Sequence, residues 1–335
     1  IDDPSQYFQV ATWSGNASNQ AITNDGNSDL QPDWLWIKAR NEASDHALLD
    51  STRGLTKRIH SNTTDQETND SSATMSSFNS DGFTLGSSSD INGNTDTYVG
   101  WSWLGGGSAS SNSDGSITSS VSVNTTAGLS IVSYTGNETA STIGHGLGVT
   151  PSMIIVKGRI AGRNWIVGHH TQGWTKSAML DGTNAFSSQT HWNNTAPTSS
   201  VFTIEGGSDS NVNTNNAGYI AYCFADKKGY SKFGSYTANG NADGTFVYLG
   251  FKPAFIIVKR TDSSGDWVLF DNKRPSENPT DLNIAPNTNG AEIDEGQGFD
   301  FLSNGFKIRE AGNFVNAGGQ PFIYMAFAEN PFVAN

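Results

Sequence analysis

The stretch Gly250-Phe251-Lys252-Pro253-Ala254-Phe255-Ile256-Ile257-Val258-Lys259 has two further versions in this chain, at residues 30–38 and 148–157. Each version consists of a proline, one small or polar residue, four apolar residues and a lysine. A short apolar run bounded by glycine and proline, and rich in β-branched and aromatic residues, is typical of a strand buried on both faces. The pattern therefore predicts one such strand in each of three copies.

Other landmarks accompany each copy in the same order. Eight residues after each lysine comes His46, Trp165 or Trp267, and a later strand opens with Tyr98, Tyr219 or Phe322. The prolines of the three copies are 119 and 102 residues apart, a period that indicates whole domains rather than solenoid turns. Helical periodicity is absent from the sequence. We therefore predict an all-β fold of three tandem β-sandwich domains, of jelly-roll or lectin-like type, related by internal repeat.

The landmarks also predict the domain boundaries. We assign residues 1–8 to an N-terminal lead-in, 9–104 to the first β-sandwich repeat, 105–128 to a flexible Gly/Ser-rich linker, 129–228 to the second repeat and 229–335 to the third. Ile117, Val121 and Val123 could add a short strand within the linker. Because only residues 226–229 separate the second and third repeats, we expect those two to pack tightly and the first to be hinged.

Two segments are predicted to be long surface loops. Residues 61–77 are rich in Ser, Thr, Asn and Asp without periodicity, and residues 275–298 contain three prolines and several carboxylates, which make a poor strand. Long surface loops often carry binding functions.

The last strand of each repeat presents two different faces. One face is large and apolar in every copy: Val99, Trp101 and Trp103; Ile220, Tyr222 and Phe224; Ile323, Met325 and Phe327. The other face is mostly small, and the single cysteine, Cys223, lies on it as a predicted buried residue. Burial on both sides fits a β-sandwich.

The composition limits the class of function. The net charge of −13 and the pI near 4.7 disfavour nucleic acid and anionic membranes as partners. One cysteine cannot form an internal disulfide, and the sequence shows neither an apolar run of membrane-spanning length nor a signal peptide. Because the chain begins with Ile1 rather than Met, we expect that an upstream segment has been removed or left out.

Charged residues recur at the end of the strand that follows each lysine. Asp50 and Asp271 are followed three residues later by Arg53 and Arg274, whereas the second copy has His169 and Gln172. We interpret these positions as structural ion pairs rather than acid–base pairs. The lysines at the ends of the buried strands are expected to extend to solvent or to pair with these carboxylates.

No metal site and no other cofactor is predicted. Four histidines of the second repeat, at positions 145, 169, 170 and 191, do not have the spacing of zinc ligands. Calcium remains an alternative at the acid-rich residues 24–29 and at Asp294–Glu295, although neither segment has a complete calcium-loop spacing.

The candidate ligand-binding residues are Trp174, His191, Trp192 and Asn193. Both tryptophans lie outside the repeated landmarks, and exposed aromatic rings beside amides are suited to stacking on sugar rings. Packing in the core or at an interface is the favoured interpretation of both rings, and glycan stacking is the functional hypothesis beside it. No catalytic residues are predicted, since neither a nucleophile elbow nor a Ser-His-Asp pattern is recognisable; only Asp181, Glu205 and Asp209 are candidate glycosidase carboxylates.

Several motifs resemble those of tail-fibre-like virion structural proteins from tailed, largely marine bacteriophages. These motifs are Asp2-Asp3-Pro4-Ser5-Gln6-Tyr7-Phe8, Tyr134-Thr135-Gly136-Asn137, Tyr230-Ser231-Lys232-Phe233-Gly234-Ser235-Tyr236, residues 253–260, and Tyr324-Met325-Ala326-Phe327-Ala328-Glu329-Asn330-Pro331-Phe332. The resemblance extends over essentially the whole chain, and it implies a location in the virion and contact with a host surface. It supplies no catalytic residue.

We therefore predict a non-enzymatic structural or adhesion protein of a bacteriophage, as a tail fibre, head fibre or decoration component, in an extracellular setting. The expected partners are other virion proteins, host-surface glycans and further copies in a homo-oligomer, with a trimer favoured; nucleic acid and membrane insertion are not expected. Three repeats in one chain could instead form a pseudo-threefold body alone. The alternative functions are a secreted, lectin-like carbohydrate-binding protein and a glycan-cleaving enzyme.

Overall fold

The computed structural model describes residues 1–70, 74–208, 210–275, 277–312 and 314–331, and the fold is all-β. Residues 8–103 contribute β1 (Phe8–Ser14), β2 (Gln20–Ile22), β3 (Trp34–Ala39), β4 (Ala47–Asp50), β5 (Lys57–Arg58), β6 (Thr68–Asn69), β7 (Met75–Phe78), β8 (Phe83–Leu85), the short helix α1 (Ser89–Asn92) and β9 (Thr97–Trp103). Residues 110–224 contribute β10 (Ser110–Asn112), β11 (Ser119–Asn124), β12 (Leu129–Thr135), β13 (Ser141–Gly144), β14 (Met153–Gly158), β15 (Trp165–His169), β16 (Lys176–Met179), β17 (Ser187–Ser188), β18 (Val201–Ile204) and β19 (Gly218–Phe224). Residues 231–327 contribute β20 (Ser231–Thr237), β21 (Phe246–Tyr248), β22 (Phe255–Arg260), β23 (Trp267–Asp271), β24 (Thr280–Asn283), β25 (Ile293–Leu302), β26 (Gly305–Ile308) and β27 (Pro321–Phe327). Single 3₁₀ turns lie at Pro4–Gln6 and His170–Gln172.

One antiparallel strand order occurs three times in the described residues. The orders are β1-β9-β3-β4, β12-β19-β14-β15 and β20-β27-β22-β23, and we call these sheets the inner sheets of units 1, 2 and 3. The predicted strands after the three prolines are confirmed as β3, β14 and β22. Each of them lies between the last strand of its unit and the strand that begins near His46, Trp165 or Trp267.

Each inner sheet is covered on one face by an outer sheet of two, three or four strands. The outer sheets are β2-β8-β7 in unit 1, β13-β18 in unit 2 and β21-β26-β25-β24 in unit 3. A separate hydrophobic core fills the space between the two sheets of each unit. Packing one antiparallel sheet on another around an apolar layer is the β-sandwich arrangement, as expected from the sequence.

The other faces of the inner sheets pack against one another. We call this shared cluster the inner core, and it contains residues from all three units. Trp34 of unit 1 stacks on Tyr222 of unit 2 with ring centroids 4.5 Å apart. Trp103 of unit 1 meets Phe255 of unit 3 at 5.4 Å, and Phe224 of unit 2 meets Phe327 of unit 3 at 6.1 Å. The large apolar faces of β9, β19 and β27 therefore lie in the inner core.

The small faces of the last strands allow close packing within each sandwich. A Cβ atom on Gly100 would lie 3.0 Å from the ring of Trp13, and Cys223 is buried without a disulfide, as predicted. In unit 3 the bulky Tyr324 occupies this face, and its ring lies over Gly234. Small residues are thus present where a ring or strand approaches closely.

The expected hinge between unit 1 and the rest is wrong. Phe8 of the lead-in is buried between Trp103 and the unit 3 residues Phe255 and Phe327. The backbone N–H of Val10 donates to the Glu329 carboxylate at 3.1 Å. Unit 1 therefore shares its core and its hydrogen bonds with unit 3 as closely as unit 2 does.

The segment at residues 105–128 is paired backbone rather than a flexible linker. The predicted extra strand is present as β11, which pairs with β12 and extends the inner sheet of unit 2. The shorter β10 adds to its other side. Val121 lies in the core of the unit 2 sandwich, which explains why an apolar residue interrupts the Gly/Ser-rich composition.

The two predicted surface loops each contain short strands. Residues 61–77 include β6 and β7, with Ser61 buried, and residues 71–73 lie outside the described residues. Residues 275–298 include β24 and the start of β25, although Pro279 precedes β24 directly. Proline and charge did not prevent pairing because these strands lie in the outer sheet and at contacts between units. None of the helices in the described part of the chain has the length and apolar character needed to cross a membrane.

The inner core predicts cooperative unfolding of the three units. We expect Trp103→Ala, which leaves a cavity bordered by units 1 and 3, to lower the free energy of unfolding by about 3–5 kcal/mol in a single transition. Urea unfolding followed by fluorescence and far-UV circular dichroism measures this loss. The matched control is Phe314→Ala, since Phe314 is 51% exposed and its loss should change stability by less than about 0.5 kcal/mol. Two transitions, one of them unchanged by Trp103→Ala, would contradict the shared core.

Candidate functional site

The residues predicted to bind a glycan lie mostly inside unit 2. Trp174 and Trp192 are 8% and 1% exposed, and their rings meet edge to face at 5.4 Å. His191 is also buried, and only Asn193 is exposed. Neither indole offers a face to a sugar, so the stacking prediction at Trp174 and Trp192 is wrong.

Gly168 explains why these tryptophans are buried. It lies in β15 where β4 and β23 have Leu49 and Phe270, and a Cβ atom there would be 2.5 Å from the Trp174 ring and 2.7 Å from the Trp192 ring. The two indoles fill the volume that the larger side chains occupy in the other units. A glycine inside an apolar strand was the sequence signal for this packing.

Ser177, His191 and Glu205 form a polar row that the sequence did not reveal. The Ser177 hydroxyl lies 2.8 Å from His191 Nδ1, and His191 Nε2 lies 3.9 Å from Glu205 Oε1. Burial lowers the pKa of His191 and keeps the ring neutral. Because Ser177 is 3% exposed, its hydroxyl is inaccessible to a substrate in this conformation. Ser177 and His191 therefore form an internal hydrogen bond, and Glu205 lies beyond hydrogen-bond distance of the ring.

The other candidate carboxylates are also held by neighbouring groups. Asp181 accepts from the side chain of Asn164 and from the backbone N–H of Trp165, and burial raises its pKa. Glu205 accepts from Thr190 and from Ser210. Asp209 lies outside the described residues. In the described residues, Asp181 and Glu205 thus act as acceptors that join loops to the unit 2 sandwich.

The calcium alternative receives no ligand cluster from the described residues. Among them, no three His, Cys, Asp or Glu side chains are grouped as metal ligands. In the acid-rich turn at residues 24–29, Asp25 pairs with Lys273 and Asn24 donates to a backbone carbonyl. The Glu295 side chain lies outside the described residues.

The polar groups with the most unusual environments lie where two units meet, and we call these contacts seams. At the seam between units 1 and 2, Arg53 Nε donates to Asp50 at 2.5 Å, and Tyr222 of unit 2 donates to the same carboxylate at 2.8 Å. Glu67 of unit 1 accepts a two-pronged contact from Arg159 of unit 2 and a further bond from Arg53. The predicted structural ion pair is confirmed, and it belongs to a network across the seam.

The seam between units 1 and 3 repeats this network. Arg274 Nε donates to Asp271 at 2.7 Å, and Trp101 of unit 1 donates to that carboxylate at 3.0 Å. Glu292 accepts a two-pronged contact from Arg40 of unit 1 and a further bond from Arg274. Both arginine–aspartate pairs are fully buried. Glu292 lies in the segment predicted as a surface loop, so that segment is part of a seam.

The seam between units 2 and 3 has none of these ionic groups at the equivalent positions. The backbone N–H of Phe186 donates to the backbone carbonyl of Thr261 at 3.0 Å. The same backbone bond joins Glu67 to Arg159 and Glu292 to Arg40 at the other two seams. Phe186 therefore stands where the other seams have a glutamate, and Thr261 where they have the arginine that binds it. His169 takes the place of the aspartate and Gln172 that of its arginine. Met325 takes the place of Tyr222 or Trp101. The whole network has been exchanged for weakly polar and apolar groups.

A second contact recurs at all three seams. Trp165 Nε1 donates to the His60 carbonyl at 2.7 Å, and Trp267 Nε1 donates to the Met179 carbonyl at 2.8 Å. His46 takes the same position in unit 1, where Nε2 lies 3.1 Å from the Ala285 carbonyl. Because His46 Nδ1 accepts from Trp36 Nε1, Nε2 carries the proton and donates. Each unit thus donates one ring N–H to the next in a cycle.

The three repeated lysines are buried and do not reach solvent or pair with a carboxylate, contrary to expectation. Lys157 and Lys259 each donate to a carbonyl of the neighbouring unit, at Thr63 and Thr183, and Lys38 donates to Ala39 and Glu42. Burial lowers the pKa of all three lysines to about 8. Their ammonium groups therefore hold loop carbonyls, across a seam for Lys157 and Lys259 and within unit 1 for Lys38.

A different surface, on the outer sheet of unit 3, exposes two aromatic rings. We call it the aromatic face, and it consists of Phe246 and Tyr248 on the edge strand β21, which are 44% and 60% exposed. Val247 between them points into the core. Opposite the rings on β26 lie Lys307 and Gly305. Sequence reasoning missed this face because an aromatic residue in a short strand is usually read as core.

The geometry defines the class of this protein as an all-β chain of packed antiparallel sheets in a sandwich arrangement. The chain belongs to the family described as "Domain of unknown function (DUF7483)", whose model matches residues 3–331. A search of curated proteins gave no match. A search of solved structures also gave no match. The family model spans all three units together.

The ionic seams predict a large cost for breaking one buried pair. We expect Arg53→Met to lower the free energy of unfolding by about 3–5 kcal/mol, because it leaves the Asp50 carboxylate buried without its cation. The double variant Asp50→Leu/Arg53→Met should recover much of this loss. Arg260→Met is the control, since Arg260 pairs with the partly exposed Asp262 and should cost less than about 1 kcal/mol. Equal losses in urea unfolding for the two arginine variants would contradict a special role for the seam.

The unit 2–3 seam predicts sensitivity to acid. Burial, with a smaller contribution from His170, lowers the pKa of His169 from 6.5 to about 3. Between these values the unfolded state binds a proton that the folded state does not, so stability falls as the pH is lowered. His169→Asn keeps an acceptor for the backbone N–H of Thr171. It should reduce the slope of the unfolding free energy against pH by at most about 1.4 kcal/mol per pH unit.

Urea midpoints of wild type and His169→Asn between pH 6.5 and 4 measure this difference. The variant must be compared with wild type because other groups also titrate. Burial raises the pKa of Glu329 and Asp181, and these carboxyls make the folded state more stable as the pH is lowered. Parallel curves for the two proteins would contradict the assignment to His169.

Proposed function

We propose that this protein is a non-enzymatic structural and adhesion component of a bacteriophage particle, located on the outside of the virion. The observation that carries the proposal is the use of its buried polar groups. Asp50 and Glu67 of unit 1 accept hydrogen bonds from Tyr222 and Arg159 of unit 2, and Asp271 and Glu292 of unit 3 accept them from Trp101 and Arg40 of unit 1. These bonds join one unit to the next. Such an interior suits a body that must keep its shape under load.

The segments expected to be free for ligands support the same proposal. Glu67 and Glu292, from the two segments first assigned to surface loops, are bound to arginines of a neighbouring unit. Loops fixed in this way stabilise the contacts between units. The resemblance to tail-fibre-like proteins, carried by motifs at both ends of the chain and in units 2 and 3, supports a virion location.

The proposed partners are other virion proteins and glycans of the host surface. The resemblance to fibres favours a homotrimer, and a pseudo-threefold body formed by one chain is the alternative. The inner sheets of the three units already pack on one another within one chain, which is the kind of contact that three subunits would otherwise provide. We therefore expect the isolated chain to be a monomer, whose three units take the part of three subunits.

A secreted, lectin-like carbohydrate-binding protein is the second candidate. The exposed rings of Phe246 and Tyr248 favour it, because a carbohydrate can stack on them whether or not the chain is part of a particle. A glycan-cleaving enzyme is less well supported, since Glu205 and Asp181 are each engaged by neighbouring donors.

Purified phage particles from a host that produces this chain provide the test. We expect the chain in their mass spectra and antibody labelling at the tail or capsid surface. Labelling only in the particle-free culture fluid would contradict the virion location and favour the lectin-like alternative. Light scattering of the isolated protein should give one chain, near 35.7 kDa. A mass three times larger would contradict the monomer and support the trimer.

A further inference from the structure

We propose that the aromatic face is a binding site for neutral pyranose oligosaccharides, with Phe246 and Tyr248 as the stacking residues. This inference rests on the proposed adhesion function and names the ligand class for it. Residues two apart on a strand point to the same side and lie about 6.6 Å apart, which places two rings side by side under one extended sugar chain. Aromatic faces bind the apolar side of a sugar ring while its hydroxyl groups bond to nearby polar atoms.

The repeat shows that the fold does not require aromatic residues at this place. Phe246 is opposite Lys307, and the equivalent pairs are Ala21 with Thr84 in unit 1 and Thr142 with Thr203 in unit 2. The position of Tyr248 is occupied by Gly144 in unit 2. The other two units form the same sandwich with small residues there. In unit 2 another segment takes up this space, since Asn112 lies where a side chain on Gly144 would be and Ile117 pairs with Ile143. In unit 3 the rings of Phe246 and Tyr248 are exposed at the corresponding positions.

The two rings are held in place by their surroundings. Lys232 Nζ donates to the Tyr248 carbonyl at 2.7 Å and lies 5.5 Å from the Tyr248 ring centroid. The ring of Phe246 lies over Gly305, where a Cβ atom would be 3.2 Å from its edge. A rigid, pre-formed surface loses little conformational freedom when it binds a ligand.

The charges around the aromatic face favour a neutral ligand. Lys307 pairs with Asp243 and Arg309 pairs with Asp300, which balances two of the cations beside the face, and the third, Lys232, donates to the Tyr248 carbonyl. Asp243 is 78% exposed and supplies an acceptor for sugar hydroxyls at the edge of the face. The net charge of −13 disfavours acidic glycans.

The exposed area argues against a second protein as the occupant. Aromatic side chains bury roughly 150–250 Å² each, so two half-exposed rings offer on the order of 200 Å². A stable protein interface needs roughly 800 Å² from each partner. The face is large enough for two or three sugar rings.

The test uses the full chain and saturation-transfer NMR with maltohexaose, cellohexaose, mannohexaose and a galactan oligosaccharide. We expect at least one of them to bind, with polygalacturonate weaker than the neutral ligands. Tyr248→Ala and Phe246→Ala should each weaken binding at least tenfold, and Tyr248→Phe should retain most of it. Phe314→Ala is the control because it removes an equally exposed ring of unit 3 outside the face.

Failure to bind any neutral oligosaccharide at millimolar concentration would overturn the inference, as would binding that survives the double variant Phe246→Ala/Tyr248→Ala. A dimer that depends on Tyr248 in light scattering would also overturn it, since the face would then bind a second copy. Near-UV circular dichroism of each variant shows that the fold is intact. If the chain binds sugar but is missing from phage particles, this inference stands and the proposed virion role is rejected. If the chain is found in phage particles but binds no sugar, this inference alone is rejected.

Discussion

The structure depends on burying both faces of three inner sheets. One face of each sheet packs on its own outer sheet, and the other packs on two further inner sheets. The buried residues of the shared layer include six tryptophans and six phenylalanines, large side chains that help to fill the space where three twisted sheets meet. A unit removed from this arrangement would expose a continuous apolar surface. The repeat in the sequence therefore encodes a three-part body whose parts stabilise one another.

The seams show how a repeated structure can lose its symmetry. Two seams contain a buried network of two arginines, an aspartate and a glutamate, and the third has Phe186, Thr261, His169 and Gln172 at those positions. A buried charge without its partner is strongly destabilising, whereas a complete exchange for apolar groups can be neutral or favourable. A seam is therefore stable with the complete network or with none of it, whereas a partial network is costly. This explains why the charged residues of one seam are all replaced together.

The sequence allowed the prediction of elements that local pattern determines. The strands after Pro32, Pro151 and Pro253 are short apolar runs, and the two faces of the last strands follow from alternation. The pairing of Asp50 with Arg53 and of Asp271 with Arg274 was also predictable, because three residues separate the partners. These interactions lie within one unit.

Contacts between units were not predictable from a local pattern. Residues 61–77 and 275–298 look like solvated loops, yet their Glu67 and Glu292 meet arginines 92 and 252 residues away. Those arginines carry no mark of the pairing. Trp174 and Trp192 are a different case, because they fill the volume above Gly168 within their own unit, and the glycine in an apolar strand was a local signal for it.

The same reasoning separates structural from functional residues in a chain of repeats. A residue present in all three units, such as the lysine near the end of β3, β14 and β22, is explained by a structural role in all three, since each ammonium group donates to loop carbonyls. A departure compensated by a neighbour, such as Gly168 with its two tryptophans, is explained by packing. Phe246 and Tyr248 fit neither description: the other units have small residues there, and no buried contact requires the rings. Exposed aromatic area is unfavourable in water, so a surface of this kind is best explained by a ligand that covers it.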